Sequence, residues 1–280
     1  MGRSVTVFRK ATQGRLGGLG GRVTEYLETF SSPLPGLPDR SFYLHGPGEL
    51  VSDFLRRDRT WEAAESALFL RALGPGAVVV DAGANLGWHA VWAACRVGPA
   101  GRVYAFEPDP RNFRLLKVNS AALPQLRCVP CALGEARGLA SFQRHGANQG
   151  DTARVQSAGA PELPAVALWP GDALALQRLD FLKIDTQGSE VMVLAGFRET
   201  LRRSPEARLL VEFWPEGLAR LSQKITDLEA ALWALDRPIY LLDHQGGGLY
   251  PLSPRTLAEL GQTLECSGGF SQLWLGAPPP

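Results

Sequence analysis

Several common functions are ruled out by what the chain does not have. Its four cysteines, Cys95, Cys128, Cys131 and Cys266, are spread over 280 residues, too few and too scattered for a disulfide framework, so a reducing, cytoplasmic setting is expected. Cys128-Val-Pro-Cys131 is a C-x-x-C, but no second pair accompanies it and it lies in an apolar run. Buried structural thiols are favoured there over zinc or redox chemistry. Positive charge is not in excess, with 29 Lys plus Arg against 28 Asp plus Glu, so no overall field gathers nucleic acid or an anionic membrane. No apolar run reaches the roughly 18 residues of a membrane span, and stable membrane insertion is not expected. The pattern G-x-x-x-x-G-K-[ST] occurs nowhere in the chain, which excludes a P-loop.

What is present is a globular composition, 45% hydrophobic and 20% charged, able to bury one sizeable core. The first 22 residues hold five Lys/Arg and no acid and lack the continuous apolar segment of a secretory signal, so a solvated extension is expected. Residues 1–59 are broken by glycines and by "SSPLPGLPDR" and read as a partly irregular N-terminal extension with one short helix around Val23 to Phe30. Residues 60–280 read as a single domain. Thr60 is placed to cap a helix carrying Trp61, Ala64, Leu68 and Ala72 on one face, which Gly74-Pro75-Gly76 stops.

From Ala77 onward strand and helix patterns alternate. The apolar runs "AVVV", "RVYAFE", "LRCVPCAL", "LDFLKID" and "ARLLVEF" are spaced by helical stretches, with "PIYLLD" and "GFSQLWL" closing the chain. Continuous apolar strands alternating with helices indicate a doubly wound α/β fold, its parallel sheet covered on both faces. In such sheets ligands sit beyond the carboxyl ends of the strands, where the strand order reverses. Asp81, Glu107 and Asp185 fall at those ends.

The first strand runs into a glycine loop, "VVVDAGANLGWHA". It is not a dinucleotide fingerprint: counting from Gly83, Asn85 and Trp88 stand where glycines must let phosphates approach, which disfavours NAD. Asp81-x-Gly83-x-x-x-Gly87 instead offers a carboxylate for an ammonium and, in the turn's free N–H groups, donors for a carboxylate. Glu107, twenty-six residues after Asp81, is placed to accept both hydroxyls of a ribose. An amino acid joined to a nucleoside describes S-adenosylmethionine, whose sulfonium favours a negatively biased pocket. A strand acid that merely caps its own turn is the purely structural alternative.

The segments "VVDAGANLGWHA", "VYAFEPDPRNFRLLKVN", "LDFLKIDTQGSEVMVLAGF" and "LLVEF", in this order, resemble the FkbM-type methyltransferase family, a branch of the class I S-adenosylmethionine-dependent methyltransferases. The resemblance implies a Rossmann-like, seven-stranded, mostly parallel sheet with its last strand antiparallel. It implies methyl transfer, commonly to a hydroxyl of a sugar or a natural product. By position Asp81, Gly83, Asn85 and Gly87 match the contacts to the methionine end, Glu107 the ribose acid, and Ala132 and Leu133 the surroundings of adenine. Gln187 departs from the family, whose members often carry glutamate there, which weakens a metal or base role at that position.

Methyl transfer is an in-line displacement that needs the acceptor oxygen aligned and its proton removed. Asp185 is the first candidate for that base, with Lys183 two residues earlier on the same strand face to steer it. His89 is a further catalytic candidate, although a histidine bonded to backbone fits the sequence equally. Glu190 and Asn148 are candidate acceptor contacts, Glu190 also being suited to the positive end of its own helix. Asp185 with Glu190 is thin support for Mg²⁺, and no required metal is expected. A methyltransferase acting on a small hydroxylated acceptor, a sugar or a secondary metabolite, is the leading expectation. A cofactor-binding module without catalysis, serving as a partner or scaffold, is the other.

Overall fold

The structure, a computed structural model, describes residues 10–11, 26–145, 148–155 and 165–279, with side chains over 26–142 and 165–279. At its centre is a sheet of eight strands. Across the sheet they run Leu249–Leu252, Ile239–Leu242, Ser271–Leu275, Arg208–Phe213, Phe181–Ile184, Val78–Ala82, Arg102–Phe106 and Leu126–Val129. The five strands from Val78–Ala82 to Arg208–Phe213 in chain order pair in parallel. Ser271–Leu275 inserts antiparallel beside Arg208–Phe213, as expected of the last strand. The eighth strand exceeds the expected seven: Leu249–Leu252 turns back as a hairpin on Ile239–Leu242. It carries Pro251 at the sheet edge, where a missing backbone N–H costs nothing.

The central strands read as unbroken apolar runs because both of their faces are buried. Val79, Phe181, Leu210 and Trp274 pack into one core and Val80, Leu182, Leu209 and Leu273 into the other, following the two-residue period of a strand. Strand order reverses between Val78–Ala82 and Phe181–Ile184, which are direct neighbours. The crevice above their tips is therefore where this architecture places a ligand.

Three expectations are corrected. The helix expected around Val23 to Phe30 is, over its described part, the strand Tyr26–Phe30, paired antiparallel with Arg40–Leu44. Its local preference yields to packing, because Phe30 and Phe42 stack against Trp88 at ring distances of 5.5 and 5.2 Å and so join the central core. The helix expected from Thr60 begins later, at Ala63, with Glu62 in its cap position at φ 47°. The run "LRCVPCAL" divides at Pro130, which has no N–H to continue the ladder. Leu126–Val129 stays in the central sheet, and Ala132–Leu133 joins Val166–Trp169, Gly138–His145 and Asn148–Val155 in a second, four-stranded sheet. Among the described residues no helix is long and apolar enough to cross a membrane.

Candidate active site

The loop after Val78–Ala82 is built by close approach between the two central strands. Gly83 sits at φ 85°, and a Cβ there would overlap the carbonyl oxygen of Asp185. Gly87, at φ 98°, holds a conformation that other residues rarely adopt and packs against the Leu116 side chain of the helix Pro110–Asn119. The free N–H groups expected in this loop are not free. Gly83 and Ala84 both donate to the Phe106 carbonyl, Gly87 donates to the Ala84 carbonyl, Asn85 to Glu107 Oε2 at 2.8 Å and Leu86 to the Asn85 side chain at 2.7 Å. The amides tie the loop to the neighbouring strand tip and lock Asn85 at φ 50°.

That lock also sets Glu107. Its Oε2 takes the Asn85 N–H and its Oε1 the Asp109 N–H, both at 2.8 Å. A carboxylate has about four lone-pair positions, so each oxygen keeps acceptor capacity toward the cavity that Glu107 lines. Burial pushes its carboxyl up to about 8, against the pull of the Asp109 and Asn85 N–H groups. Beside it the cavity wall is apolar, made by Phe106, Cys131, Ala132, Leu133 and Phe142. Burial raises the Cys131 thiol to about 11, and all four cysteines are free; both suit an inert wall residue.

The far end of the cavity is acidic. Lys183, buried within the strand, donates to Asp185 Oδ2 at 3.0 Å. Burial opposes its charge, but Asp185, Asp81, Glu65 and Glu62 outweigh burial and raise it above the usual lysine range. Gln187 Nε2 lies 3.0 Å from Asp185 Oδ1 and 3.0 and 3.1 Å from the two oxygens of Glu212, bridging the carboxylates at the ends of two adjacent strands. Asp185 opens on the cavity with 21% of its side chain exposed. Glu212, Gln187 and Glu62 also line this end. Burial, then the charges of Asp185, Glu190 and Glu62, hold the Glu212 carboxyl well above the usual range.

Asp81 is placed differently from expectation. It is 1% exposed, does not line the cavity, and stands in register with Lys183 across the parallel pair. Burial raises its carboxyl to about 6, with Lys183 opposing. Both of its carboxylate oxygens lie buried without a side-chain hydrogen-bond partner, and Lys183 is the charge that opposes the burial. Glu190 is likewise turned away. It is fully buried, and its Oε1 takes the N–H groups of Thr186 and Gly188 and the Thr186 hydroxyl, so it holds its own helix entrance instead of meeting an acceptor. The side chain of Asn148 lies outside the described residues.

His89 does line the cavity. Burial, then the Lys183 charge, lowers its pKa well below the ordinary histidine value, so the ring is neutral. Ser66 Oγ donates to the Trp61 carbonyl at 2.9 Å and accepts from Trp88 Nε1 at 3.1 Å, and His89 Nε2 sits 3.1 Å from it. With the serine proton already placed, Nε2–H is the donor to Ser66. Sequence reasoning did not single out Glu62, Glu65 or Glu212. The signal for Glu212 was an acid inside an otherwise apolar buried strand, "LLVEF". The pair at 62 and 65 looks like ordinary acids at a helix start.

These residues surround a cavity of about 370 Å³ above the switch point, within the usual size of small-molecule sites. Residues 81–218 match the methyltransferase FkbM domain family. A hexuronic acid methyltransferase, AglP of Haloferax volcanii, is 28% identical over 152 residues, covering 52% of this chain and 60% of that protein. The 2-O-methyltransferase NoeI of Sinorhizobium fredii is 27% identical over 152 residues, covering 46% of this chain and 61% of that protein. The chain thus spans less than two thirds of the length of both relatives. A crystal structure of methyltransferase FkbM from Methylobacillus flagellatus aligns at a TM-score of 0.46 and 18% identity, over 72% of this chain and 44% of that one. The matched span begins at Asp81 and takes in Glu107, Lys183, Asp185 and Glu212, so what this chain shares with the methyltransferase FkbM domain family is residues 81–218.

Proposed function

We propose that the chain transfers a methyl group from S-adenosylmethionine to a hydroxyl of a sugar or a small natural product, with residues 60–280 as the methyltransferase domain. The observation that carries this reading is the change of character along one cavity, from an apolar wall through Glu107 to an acid-lined end. That order fits adenine, ribose and sulfonium in turn. S-adenosylmethionine supplies the electrophilic methyl group. Phe106, Ala132, Leu133 and Phe142 would enclose the adenine, and Glu107, positioned by the Asn85 and Asp109 amides, would accept the ribose hydroxyls. The carboxylates at the other end favour a cation over a neutral thioether.

Asp185 is the group suited to take the proton of the acceptor hydroxyl. Lys183 and Gln187 each donate to one of its oxygens, which fixes its orientation and leaves lone pairs toward the cavity. Lys183 also answers the charge of Asp81, so Asp81 serves as a positioning residue. Trp61, Trp214 and Phe270 line the same cavity, and their aromatic faces suit the C–H face of a sugar ring. The names of the two relatives, one a hexuronic acid methyltransferase and one a 2-O-methyltransferase, support a sugar acceptor.

The test is methyl transfer from labelled S-adenosylmethionine to a panel of neutral sugars, uronic acids and glycosylated metabolites, with Asp185→Asn as the comparison. Transfer to a hydroxyl is expected. In the variant kcat/KM should fall by about 10²–10⁴-fold, the usual contribution of a general base, while S-adenosylhomocysteine affinity stays within about threefold. Cofactor binding with no transfer to any acceptor would favour the non-catalytic binding module instead.

A further inference from the structure

We propose that Glu62, Glu65 and His89 form a binding site for a divalent transition-metal ion of the Mn²⁺ or Zn²⁺ class at the acidic end of the cavity. Glu62 immediately precedes the helix Ala63–Ala72 in a left-handed conformation and Glu65 lies in its first turn, which leaves their carboxylates close together at the helix start. His89 lies in the first turn of the helix Trp88–Val97, packed against the first. One ligand atom from each residue lies within 4.8 Å of the other two, and His89 Nε2 is 3.9 Å from Glu62 Oε2. Bonds of about 2.0–2.2 Å to an ion place neighbouring ligands roughly 3–3.5 Å apart, so closure by about an ångström completes the set. Glu62, partly exposed on the cavity wall, has room to make that movement.

Two features of this arrangement favour a cation. Both oxygens of Glu65 and Oε2 of Glu62 are buried without a hydrogen-bond partner, and Glu65 is only 1% exposed. An ionised carboxylate held in that way is costly unless something positive meets it. The local charge is also unbalanced. Among the described residues Lys183 is the one cation acting on Asp81, Glu65 and Glu62, and it donates to Asp185 at 3.0 Å. A divalent ion between the two glutamates supplies the balance that one lysine does not.

The donor set selects the ion. One neutral imidazole with two carboxylates suits ions that take nitrogen together with oxygen, such as Mn²⁺ and Zn²⁺, whereas Mg²⁺ and Ca²⁺ prefer oxygen alone. Burial and the Lys183 charge already keep His89 neutral, so no proton need leave the ring. The ion replaces the hydrogen at Nε2, which moves to Nδ1, and Ser66 keeps its bond to the Trp61 carbonyl. The competing occupant is a proton shared between Glu62 and Glu65.

The experiment titrates the full chain, stripped with chelator, with Mn²⁺ followed by the paramagnetic resonance of the free ion, and with Zn²⁺ by calorimetry. No cofactor or acceptor is present, so the result is independent of whether the cavity takes S-adenosylmethionine. One ion per chain is expected, bound at least tenfold more tightly than Mg²⁺ and accompanied by a rise in melting temperature. Glu65→Gln should melt, metal-free, no lower than the wild type, because a buried acid is replaced by an amide of the same shape that can donate to Glu62. It should lose at least tenfold in affinity and show no metal-dependent rise, and His89→Asn should lose affinity likewise. No saturable uptake by the wild type, or equal uptake by both variants, would overturn the site in favour of the shared proton.

Discussion

Replacing Glu107 by glutamine removes a buried acid at nearly constant side-chain volume. Burial raises this carboxyl from the ordinary 4.5 to about 8. The unfolded chain releases the proton near the ordinary value while the folded chain keeps it up to about 8. The folded state therefore binds more protons across that window, and stability falls as pH rises through it. At about 1.4 kcal/mol per pH unit, the loss for this group approaches about 5 kcal/mol. Glutamine cannot titrate, but its amide nitrogen must face either the Asn85 or the Asp109 N–H, leaving one donor unpaired at about 1–3 kcal/mol. The wild type should accordingly be the more stable by about 1–3 kcal/mol near pH 5, with the gap closing and then reversing toward pH 9. Urea unfolding followed by tryptophan fluorescence at a series of pH values measures both curves. Parallel curves would refute the burial and bonding assigned to Glu107.

The surroundings of Asp185 give further expectations. Gly83→Ala strains a φ of 85° and drives a Cβ into the Asp185 carbonyl, so a loss of at least about 2 kcal/mol is expected, read as a lowered melting temperature. Lys183→Met leaves Asp81 and Asp185 without their cation and should cost about 3–5 kcal/mol at neutral pH; because protonation neutralises the orphaned acids, denaturant unfolding at acid pH should show part of this recovered. Gln187→Glu replaces the amide donor between Asp185 and Glu212 with a third acid. Its destabilisation should grow with rising pH, and a flat difference from wild type would contradict the bridge. Phe270→Ala, at a position 53% exposed on the cavity mouth, should change stability by less than about 0.5 kcal/mol while raising the acceptor KM at unchanged kcat.

The parallel strands were legible because Val79 and Val80, or Leu209 and Leu210, go to opposite cores and both are apolar. The split at Pro130 and the strand Tyr26–Phe30 were not, since each depends on a partner distant in sequence: the second sheet in one case, Arg40–Leu44 and Trp88 in the other. At the site, Glu107, Lys183 and Asp185 were readable as polar residues at or near the tips of apolar strands. The commitments of the loop were hidden. Nothing in "AGANLG" says that its amides serve Phe106 and Glu107, or that Asp81 answers Lys183. Glu190 was ambiguous between helix entrance and acceptor contact, and its bonds to Thr186 and Gly188 place it at the entrance.

The central claim is that the cavity holds an adenosyl cofactor by Glu107 with Asp185 facing its reactive end. Calorimetric titration of S-adenosylhomocysteine into the full chain tests it most directly, in wild type and Glu107→Ala side by side. One site of micromolar affinity is expected, weakened at least tenfold in the variant, because two ribose hydrogen bonds at about 0.5–1.5 kcal/mol each are lost. No binding to the wild type, or equal binding to both, would contradict it.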